Sequence, residues 1–210
     1  MSRILITSGP TRQYLDPVRF LTNASSGRMG SALADAMLEQ GHDVVVVSGN
    51  VDVVYPKQAQ VIEVVSTEEM LATCRDLFPS CDGLIGAAAP CDYRPVKVAT
   101  NKIAKTGAPL ELHLVETSDV VAALGAEKSK QWLVGFALET EDHRFRAITK
   151  MERKSCDLMV LNEPEAMNSL NNNVEILNRD GRIVAQFSGP KAIVAKGIVK
   201  VIHDELIHIK

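Results

Sequence analysis

The side chains of this 210-residue chain that could take part in chemistry are mainly amides, carboxylates and cations. Asn23 lies shortly before the sequence SSG, which opens a predicted helix, and Asp92 shortly follows the small-residue run GAAAP. The GxSxG turn of serine hydrolases and the HExxH helix of zinc enzymes do not occur, and the five histidines lack metal-ligand spacing. This set of side chains favours the positioning of anions and the stabilisation of charge over covalent catalysis.

Two turns could bring backbone N–H groups to the phosphates of a nucleotide. Gly9 follows a predicted strand at residues 4–7, and Ser25 or Ser26 is predicted to cap a helix that ends at Gly41. A plain turn and simple helix capping explain the same residues. The glycines lack the GxGxxG spacing, which counts against the alternative of an NAD(P)-binding oxidoreductase.

The lysines of interest form two groups. Lys97, Lys102 and Lys105 lie in the polar segment 92–109, which is too long for an ordinary connection and contains prolines and a glycine. Lys150 and Lys154 are four residues apart on a predicted helix, where their like charges repel unless an anion lies between them. Both groups suit a polyphosphate ligand, and a solvated surface is the alternative for each.

Segments with strand-like and helix-like periodicity alternate along most of the chain. We predict strands at residues 4–7, 43–48, 60–65, 82–88, 111–115, 132–138, 158–161, 174–177 and 183–187. We predict helices at residues 25–41, 67–78, 118–127, 141–154 and 191–206, with Thr67 capping the second and Ser118 or Asp119 the third. The alternation predicts a single α/β domain over residues 1–210, with three layers and a mostly parallel sheet. The turn at residues 179–181 predicts an antiparallel C-terminal hairpin.

The composition excludes several classes of protein. The chain has 23 Lys and Arg against 26 Asp and Glu, a net charge of −3. This is not the balance of a polybasic protein that binds nucleic acid or a membrane surface, so neither partner is expected. No apolar run reaches the roughly 18 residues of a membrane span, and the N-terminus does not read as a secretory leader. The four cysteines lack CxxC spacing and are predicted to be buried thiols of a reduced, cytoplasmic protein.

Four segments resemble the phosphopantothenoylcysteine synthetases, also called phosphopantothenate–cysteine ligases: GPTRQYLDPVRFLTNASSGRMG, GAAAPCDYRPVKVATNKIAK, GFALET and DLMVLNE. The resemblance runs from Ile4 to Val201 and implies a Rossmann-like fold. It implies a reaction of coenzyme A biosynthesis in which 4′-phosphopantothenate attacks the α-phosphate of a nucleoside triphosphate, generally CTP in bacteria and commonly ATP in eukaryotes. The amine of L-cysteine then attacks the acyl-nucleotide intermediate. Mg²⁺ is the implied metal, its protein ligands are left open, and FMN is not expected.

The resemblance also implies roles for individual residues. Asn23 matches an asparagine that contacts the substrate carboxylate and the intermediate's carbonyl, and Lys102 a lysine used in nucleotide binding and in the addition of cysteine. Arg19 matches an arginine that reaches the pantothenate phosphate from the partner subunit, which implies a homodimer. The residues expected to line the phosphopantothenate site are Ala88, Ala89 and Asp92. The residues expected to contact the nucleotide, besides Gly9, Ser25, Asp92 and Lys102, are Ser118, Asp119, Val120, Val121, Phe136, Lys150 and Lys154.

In many bacteria this module is fused to a flavin-dependent decarboxylase. The present chain contains only the part that resembles the synthetase, so we expect a stand-alone synthetase that pairs functionally with a separate phosphopantothenoylcysteine decarboxylase. Two positions depart from the family pattern. Ala104 stands where the family has a loop lysine, and Ser118 where proline is common, and neither departure affects Asn23 or Asp92.

Overall fold

The computed structural model describes residues 1–138, 143–162 and 171–207. Its strands are β1 Arg3–Ser8, β2 Arg12–Tyr14, β3 Phe20–Thr22, β4 Asp43–Ser48, β5 Gln60–Glu63, β6 Gly83–Gly86, β7 Tyr93–Pro95, β8 Leu114–Glu116, β9 Trp132–Leu138, β10 Leu158–Asn162, β11 Asn171–Asn178 and β12 Ile183–Pro190. Its α-helices are α1 Arg28–Glu39, α2 Thr67–Leu77, α3 Val120–Glu127, α4 His143–Arg153 and α5 Lys191–Ile202. None of the helices in these ranges combines the length and apolar character needed to cross a bilayer.

Eight strands form one sheet in the order β12-β11-β10-β9-β6-β1-β4-β5. The six strands from β10 to β5 are parallel, and β11 and β12 add an antiparallel hairpin at one edge. Successive side chains of a strand point to opposite faces, so Ile4 and Ile6 of β1 pack with α1 and α5 while Leu5 packs with α2, α3 and α4. The structure confirms the predicted α/β fold, with three layers, a mostly parallel sheet and an antiparallel C-terminal hairpin.

Two of the predicted helix caps are wrong. Gly27, with φ of 71°, precedes α1, and no side chain caps that helix, so neither Ser25 nor Ser26 has the predicted role. Ser66 rather than Thr67 caps α2, because its hydroxyl accepts a hydrogen bond from the Glu69 amide at 3.1 Å. Both helices begin where the backbone turns, one residue or more from the polar residue that the sequence suggested.

Several other local predictions are confirmed. Asp119 caps α3 by accepting a hydrogen bond from the Ala122 amide at 3.1 Å. The 179–181 turn closes the β11–β12 hairpin, and the cysteines at 74, 81, 91 and 156 are free and buried. Burial raises the pKa of Cys74 and of Cys156 to about 12, so both remain thiols at neutral pH. Residues 141–142 of the predicted fourth helix lie outside the described residues, and α5 continues beyond Ile202 as a π-helical turn, His203–Ile207.

One region differs from the predicted alternation. The strand predicted at residues 111–115 is present only as the shorter β8, Leu114–Glu116. It does not belong to the main sheet, because it pairs with β7 in a separate two-stranded ribbon. The segment between β1 and α1 contains a second ribbon, β2–β3, which the sequence did not predict. The two ribbons contact each other through β2 and β7. We call residues 12–22 and 93–116 together the flap.

Candidate active site at the carboxyl edge of the sheet

The carboxyl ends of the parallel strands β1, β6, β9 and β10 meet at one edge of the sheet, which is where open α/β sheets bind ligands. Two adjoining pockets lie there, with volumes of about 590 Å³ and 620 Å³. Ala88, Asp92 and Phe136 line both pockets and therefore mark their common boundary. We call the pocket beside α1 the first pocket and the pocket beside α3 the second pocket.

The first pocket is formed where α1 begins directly against the end of β1. Gly30 permits this approach, since a Cβ there would overlap the Ser8 hydroxyl. That hydroxyl donates a hydrogen bond to the Gly27 carbonyl at 3.2 Å and accepts one from Tyr55 at 2.8 Å. The first amides of a helix have no partner within it, so this arrangement presents backbone donors to the pocket.

Asn23 connects the loop before α1 to the end of β6. Its side-chain amide donates to the Pro90 carbonyl at 2.8 Å and lies 3.3 Å from the Ala89 carbonyl. The amide donor expected to contact a substrate oxygen is therefore used by the protein itself here. A donor role toward substrate requires that a substrate oxygen replaces one of these carbonyls.

The second pocket is lined by the start of α3 and the end of α4. Asp119 caps α3 with one carboxylate oxygen, and the other lies 3.1 Å from Lys154 Nζ and 3.4 Å from an Arg153 nitrogen. Two cations share the Asp119 carboxylate here, while Asp92 and Glu116 line other parts of the same pocket, so the positive charge is local to this wall. Asp119 also gives Lys154 a partner, so the lysine does not depend on a bound anion as the sequence spacing suggested.

Arg19 and Lys102 lie in the flap and line neither pocket of their own chain. Asp16, which is fully buried, holds this part of the flap together. One of its carboxylate oxygens accepts from the Val18 and Arg19 amides at 2.8 Å, and the other accepts from the Ile103 amide at 3.1 Å. The Arg19 guanidinium lies 3.4 Å from Asp16 and donates to the Ile103 carbonyl at 3.0 Å. Asp16 thus connects Arg19 to the residue next to Lys102.

The environment of Asp16 favours its charged form. Burial alone raises the pKa of this carboxyl group, but three backbone N–H groups and the Arg19 charge outweigh burial. The pKa of Asp16 therefore lies below its ordinary value of 3.8. The group is a carboxylate at any pH near neutrality, which is the state that these hydrogen bonds require.

The structure brings most of the predicted site residues together. The first pocket is lined by Asn23, Ser25, Ala88, Ala89, Asp92 and Phe136. The second pocket is lined by Asp92, Ser118, Asp119, Val120, Val121, Phe136 and Lys154. The predicted residues that line neither pocket are Gly9, Arg19, Lys102 and Lys150. Gly9 is a buried turn residue with φ of 73°, packed against Val51.

The polar residues of the first pocket that sequence reasoning did not predict include Arg28, Asn162, Asn172 and Lys191. Burial, and then the positive charge of Arg28, lower the pKa of Lys191 below its ordinary value, which places two cations near one another. Asn162 lies in the segment DLMVLNE directly after its apolar run, so its place at the end of a parallel strand was available as a signal. Asn172 and Lys191 have no comparable signal, because they reach the pocket only through the antiparallel hairpin.

The described residues do not form a magnesium site by themselves. No group of three or more His, Cys, Asp or Glu side chains within them could hold a metal ion, and Asp92 is the one carboxylate common to both pockets. Mg²⁺ at nucleotide sites commonly takes its other ligands from phosphate and water. A bound Mg²⁺ would accordingly rely on substrate phosphates and water for most of its ligands.

The fold and the two pockets define a Rossmann-like α/β protein whose pockets lie at the carboxyl edge of its sheet, the usual ligand site of such folds. The family model of the DNA/pantothenate metabolism flavoprotein C-terminal domain matches residues 1–206. This chain belongs to that family, which confirms the resemblance found in the sequence.

Curated relatives extend this result. The chain is 40% identical over 164 residues to the coenzyme A biosynthesis bifunctional protein CoaBC of Bacillus subtilis, which covers 78% of this chain and 40% of that protein. The corresponding protein of Vibrio cholerae is 36% identical over 211 residues, 97% of this chain and 53% of that protein. A cysteine/cysteine sulfinic acid decarboxylase from an unknown prokaryotic organism is 44% identical over 162 residues, 76% of this chain and 45% of that protein. The chain thus spans about half the length of the curated relatives it matches.

Solved structures agree on the fold. The crystal structure of the C-terminal domain of CoaBC superposes with a TM-score of 0.80 at 35% identity, covering 96% of this chain and 93% of that one. A mutant of Cab2 in complex with phosphopantothenate-cysteine has a TM-score of 0.76, covering 99% of this chain and 88% of that one. Its sequence identity is 15%, so this second likeness concerns the fold alone.

Proposed function

We propose that this chain is a phosphopantothenate–cysteine ligase that uses a nucleoside triphosphate, with CTP as the expected nucleotide. The observation that carries the proposal is the pair of adjoining pockets that share Ala88, Asp92 and Phe136 in a chain of this family. Two pockets with a common boundary can hold two substrates whose reacting ends meet there. The combined volume suits two ligands of ordinary metabolite size.

The reaction has two steps. A carboxylate oxygen of phosphopantothenate attacks the α-phosphorus of the nucleotide, and pyrophosphate leaves with the electron pair of the broken P–O bond. The cysteine amine then attacks the acyl carbon, the nucleoside monophosphate leaves, and the amine loses a proton. The first step brings a carboxylate up to a polyphosphate, so the protein must offset charge repulsion there rather than supply a nucleophile.

The charges of the two pockets fit this demand. Arg28 and Lys191, with the start of α1, would attract anionic groups into the first pocket. Arg153 and Lys154 supply two cations to one wall of the second pocket, which also contains the carboxylates of Asp92, Glu116 and Asp119. Asn23 would contact the substrate carboxylate between them by exchanging a backbone carbonyl for a substrate oxygen.

The proposal includes a homodimer in which the flap of one copy completes the site of the other. Exposed apolar side chains concentrate on the flap, among them Val18 at 58%, Val96 at 60% and Leu110 at 56% exposure. Clusters of this kind mark protein–protein interfaces. A second copy that covers them would account for the position of Arg19 and Lys102 outside both pockets of their own chain. Mg²⁺, a cytoplasmic location, a single domain over 1–210 and functional pairing with a separate decarboxylase belong to the same proposal.

Pyrophosphate release tests the proposal. The purified chain is incubated with phosphopantothenate, Mg²⁺ and either CTP or ATP, with and without cysteine. We expect release that depends on phosphopantothenate, is faster with CTP and needs cysteine for sustained turnover. Gln40→Glu, a charge change at the far, exposed end of α1, is the control that should keep full activity. No release with either nucleotide from folded protein would overturn the proposal.

A further inference from the structure

A pair of amides forms the wall of the first pocket on the side of the antiparallel hairpin. Asn162 is the last residue of β10, and Asn172 lies near the start of the neighbouring antiparallel strand β11. The Asn172 side-chain nitrogen donates a hydrogen bond to Asn162 Oδ1 at 3.0 Å. Both residues line the first pocket, together with Arg28, Lys191 and the start of α1.

The carbonyl oxygen of the Asn172 side chain is buried without a partner. The residue is 4% exposed, and its Oδ1 accepts no hydrogen bond from the described part of the chain. Buried side-chain oxygens almost always have a donor, whether from protein, water or ligand. Because the amide nitrogen bonds to Asn162, the oxygen is the end of this side chain that lacks a partner.

The rest of the pocket indicates what kind of molecule that is. Arg28, Lys191 and the first amides of α1 favour an anionic group, and a phosphate suits a helix N-terminus best. Burial, and then the Arg28 charge, lower the pKa of Lys191. An anion between these two side chains would raise that pKa again. An unpartnered acceptor in the same pocket calls for a hydrogen-bond donor on the same ligand.

We propose that Asn172 Oδ1 accepts a hydrogen bond from a hydroxyl or N–H group of a phosphorylated substrate bound in the first pocket, and that Asn162 holds the Asn172 amide in position. The proposal rests on the proposed function, since a nucleotide and phosphopantothenate both combine phosphate with such donors. Asn172 is then a specificity-determining residue. A site with a buried acceptor discriminates strongly against an analogue that lacks the donor, because the acceptor is left unpaired.

Binding measurements on three proteins test this proposal. Calorimetric titrations of CTP and of phosphopantothenate, each alone, are made with the unaltered chain, Asn172→Leu and Asn173→Leu. Asn173 is the matched control, because it is exposed, does not line the first pocket and bonds instead to Ser188. We expect Asn172→Leu to weaken one of the two ligands by roughly 5- to 100-fold, the range for one buried hydrogen bond, and to leave the other ligand unchanged. The ligand affected is the occupant of the first pocket.

A second measurement does not depend on how well the variant folds. The unaltered chain is titrated with nucleotides that lack the 2′- or 3′-hydroxyl, and with a phosphopantothenate analogue that lacks its secondary hydroxyl or has a methylated amide. One of these analogues should bind the unaltered chain more weakly than its parent ligand, by about the factor that Asn172→Leu costs the parent. The Asn172→Leu variant should bind that analogue and its parent with equal affinity.

The outcomes separate this proposal from the proposed function. Unchanged affinities for every analogue and for Asn172→Leu, with both parent ligands bound, would mean that only water meets Asn172 Oδ1 and would overturn the inference alone. A folded chain that binds neither CTP, ATP nor phosphopantothenate would overturn both proposals.

Discussion

The two pockets and the flap differ in what holds them in place. The pockets lie on strand ends and helix starts that are anchored in the two buried core clusters of the sheet. The flap consists of two short ribbons beside the sheet, with exposed apolar side chains and a buried carboxylate, Asp16, as its internal connector. The pockets are therefore preorganised by the fold, whereas in the proposed homodimer the flap would present its residues to the site of a second copy.

The largest effect is expected from a charge placed in the pockets. Asn23→Asp cannot donate to the Ala89 and Pro90 carbonyls and puts a carboxylate beside a substrate carboxylate. We expect turnover to fall at least ~10²-fold, about 2.7 kcal/mol of transition-state stabilisation. Steady-state pyrophosphate release measures the effect, with Gln40→Glu as the control for added charge. Near-normal turnover would remove Asn23 from the catalytic group.

A side chain added between α1 and β1 tests whether the first pocket depends on close packing. Gly30→Ala introduces a Cβ that overlaps the Ser8 hydroxyl. We expect the free energy of unfolding to fall by about 1–3 kcal/mol, as for other overpacked positions. Urea denaturation measures it, and Asp35→Ala, at an exposed position of the same helix, is the control. An unchanged midpoint would show that α1 can move away from β1 at no cost.

Loss of the Asp16 charge tests whether the flap depends on its buried carboxylate. Asp16→Asn keeps the shape of the side chain but loses the ion pair with Arg19 and weakens the acceptor of the Ile103 amide. We expect hydrogen exchange at Ile103 to accelerate about tenfold, a change typical of one lost charge-assisted bond, while exchange in β1 stays constant. Asp35→Asn, an exposed carboxylate on α1, should change neither region. Equal acceleration in β1 would mean that the flap and the sheet open as one unit.

The smallest effect concerns pH. In the unfolded chain the Asp16 carboxyl has its ordinary pKa of 3.8, and in the folded chain its pKa is lower. Its contribution to stability is therefore fully present above pH 3.8 and disappears as the pH falls through the lower, folded value. We expect exchange at Ile103 to rise at that acidic pH beyond its intrinsic rate, and Asp16→Asn to abolish this rise. A pH profile that is the same in both proteins would contradict this role of Asp16.

Sequence patterns predicted the parts of the molecule in which local chemistry and burial agree. The runs of Ile and Val in β1 and β4 are apolar because both faces of these strands are covered, so strand type and sheet class could be read from them. Asp92 follows one buried strand and Phe136 lies in the second half of another, so their meeting near one edge was predictable. The start of α1 was not predictable, because the backbone turn at Gly27, and not a serine hydroxyl, determines where this helix begins.

The flap was beyond sequence patterns for a different reason. Strands β7 and β8 have three residues each, and their pairing depends on a partner some twenty residues away. The roles of Arg19 and Lys102 came from family resemblance, and no local pattern indicates that Asp16 joins their segments. Asn172 likewise reaches the first pocket only because β11 returns antiparallel to β10.

Mixing two inactive variants tests whether the flap of one copy completes the pockets of another. Asn23→Asp alters the pocket and Arg19→Ala alters the flap, so each homodimer should be inactive. In a symmetric dimer formed at random, half of the molecules are mixed and each of these has one intact site. We expect the mixture to regain about a quarter of the pyrophosphate release of the unaltered protein. No recovery from a mixture shown to contain mixed dimers would contradict it, because Arg19 would then act within its own chain.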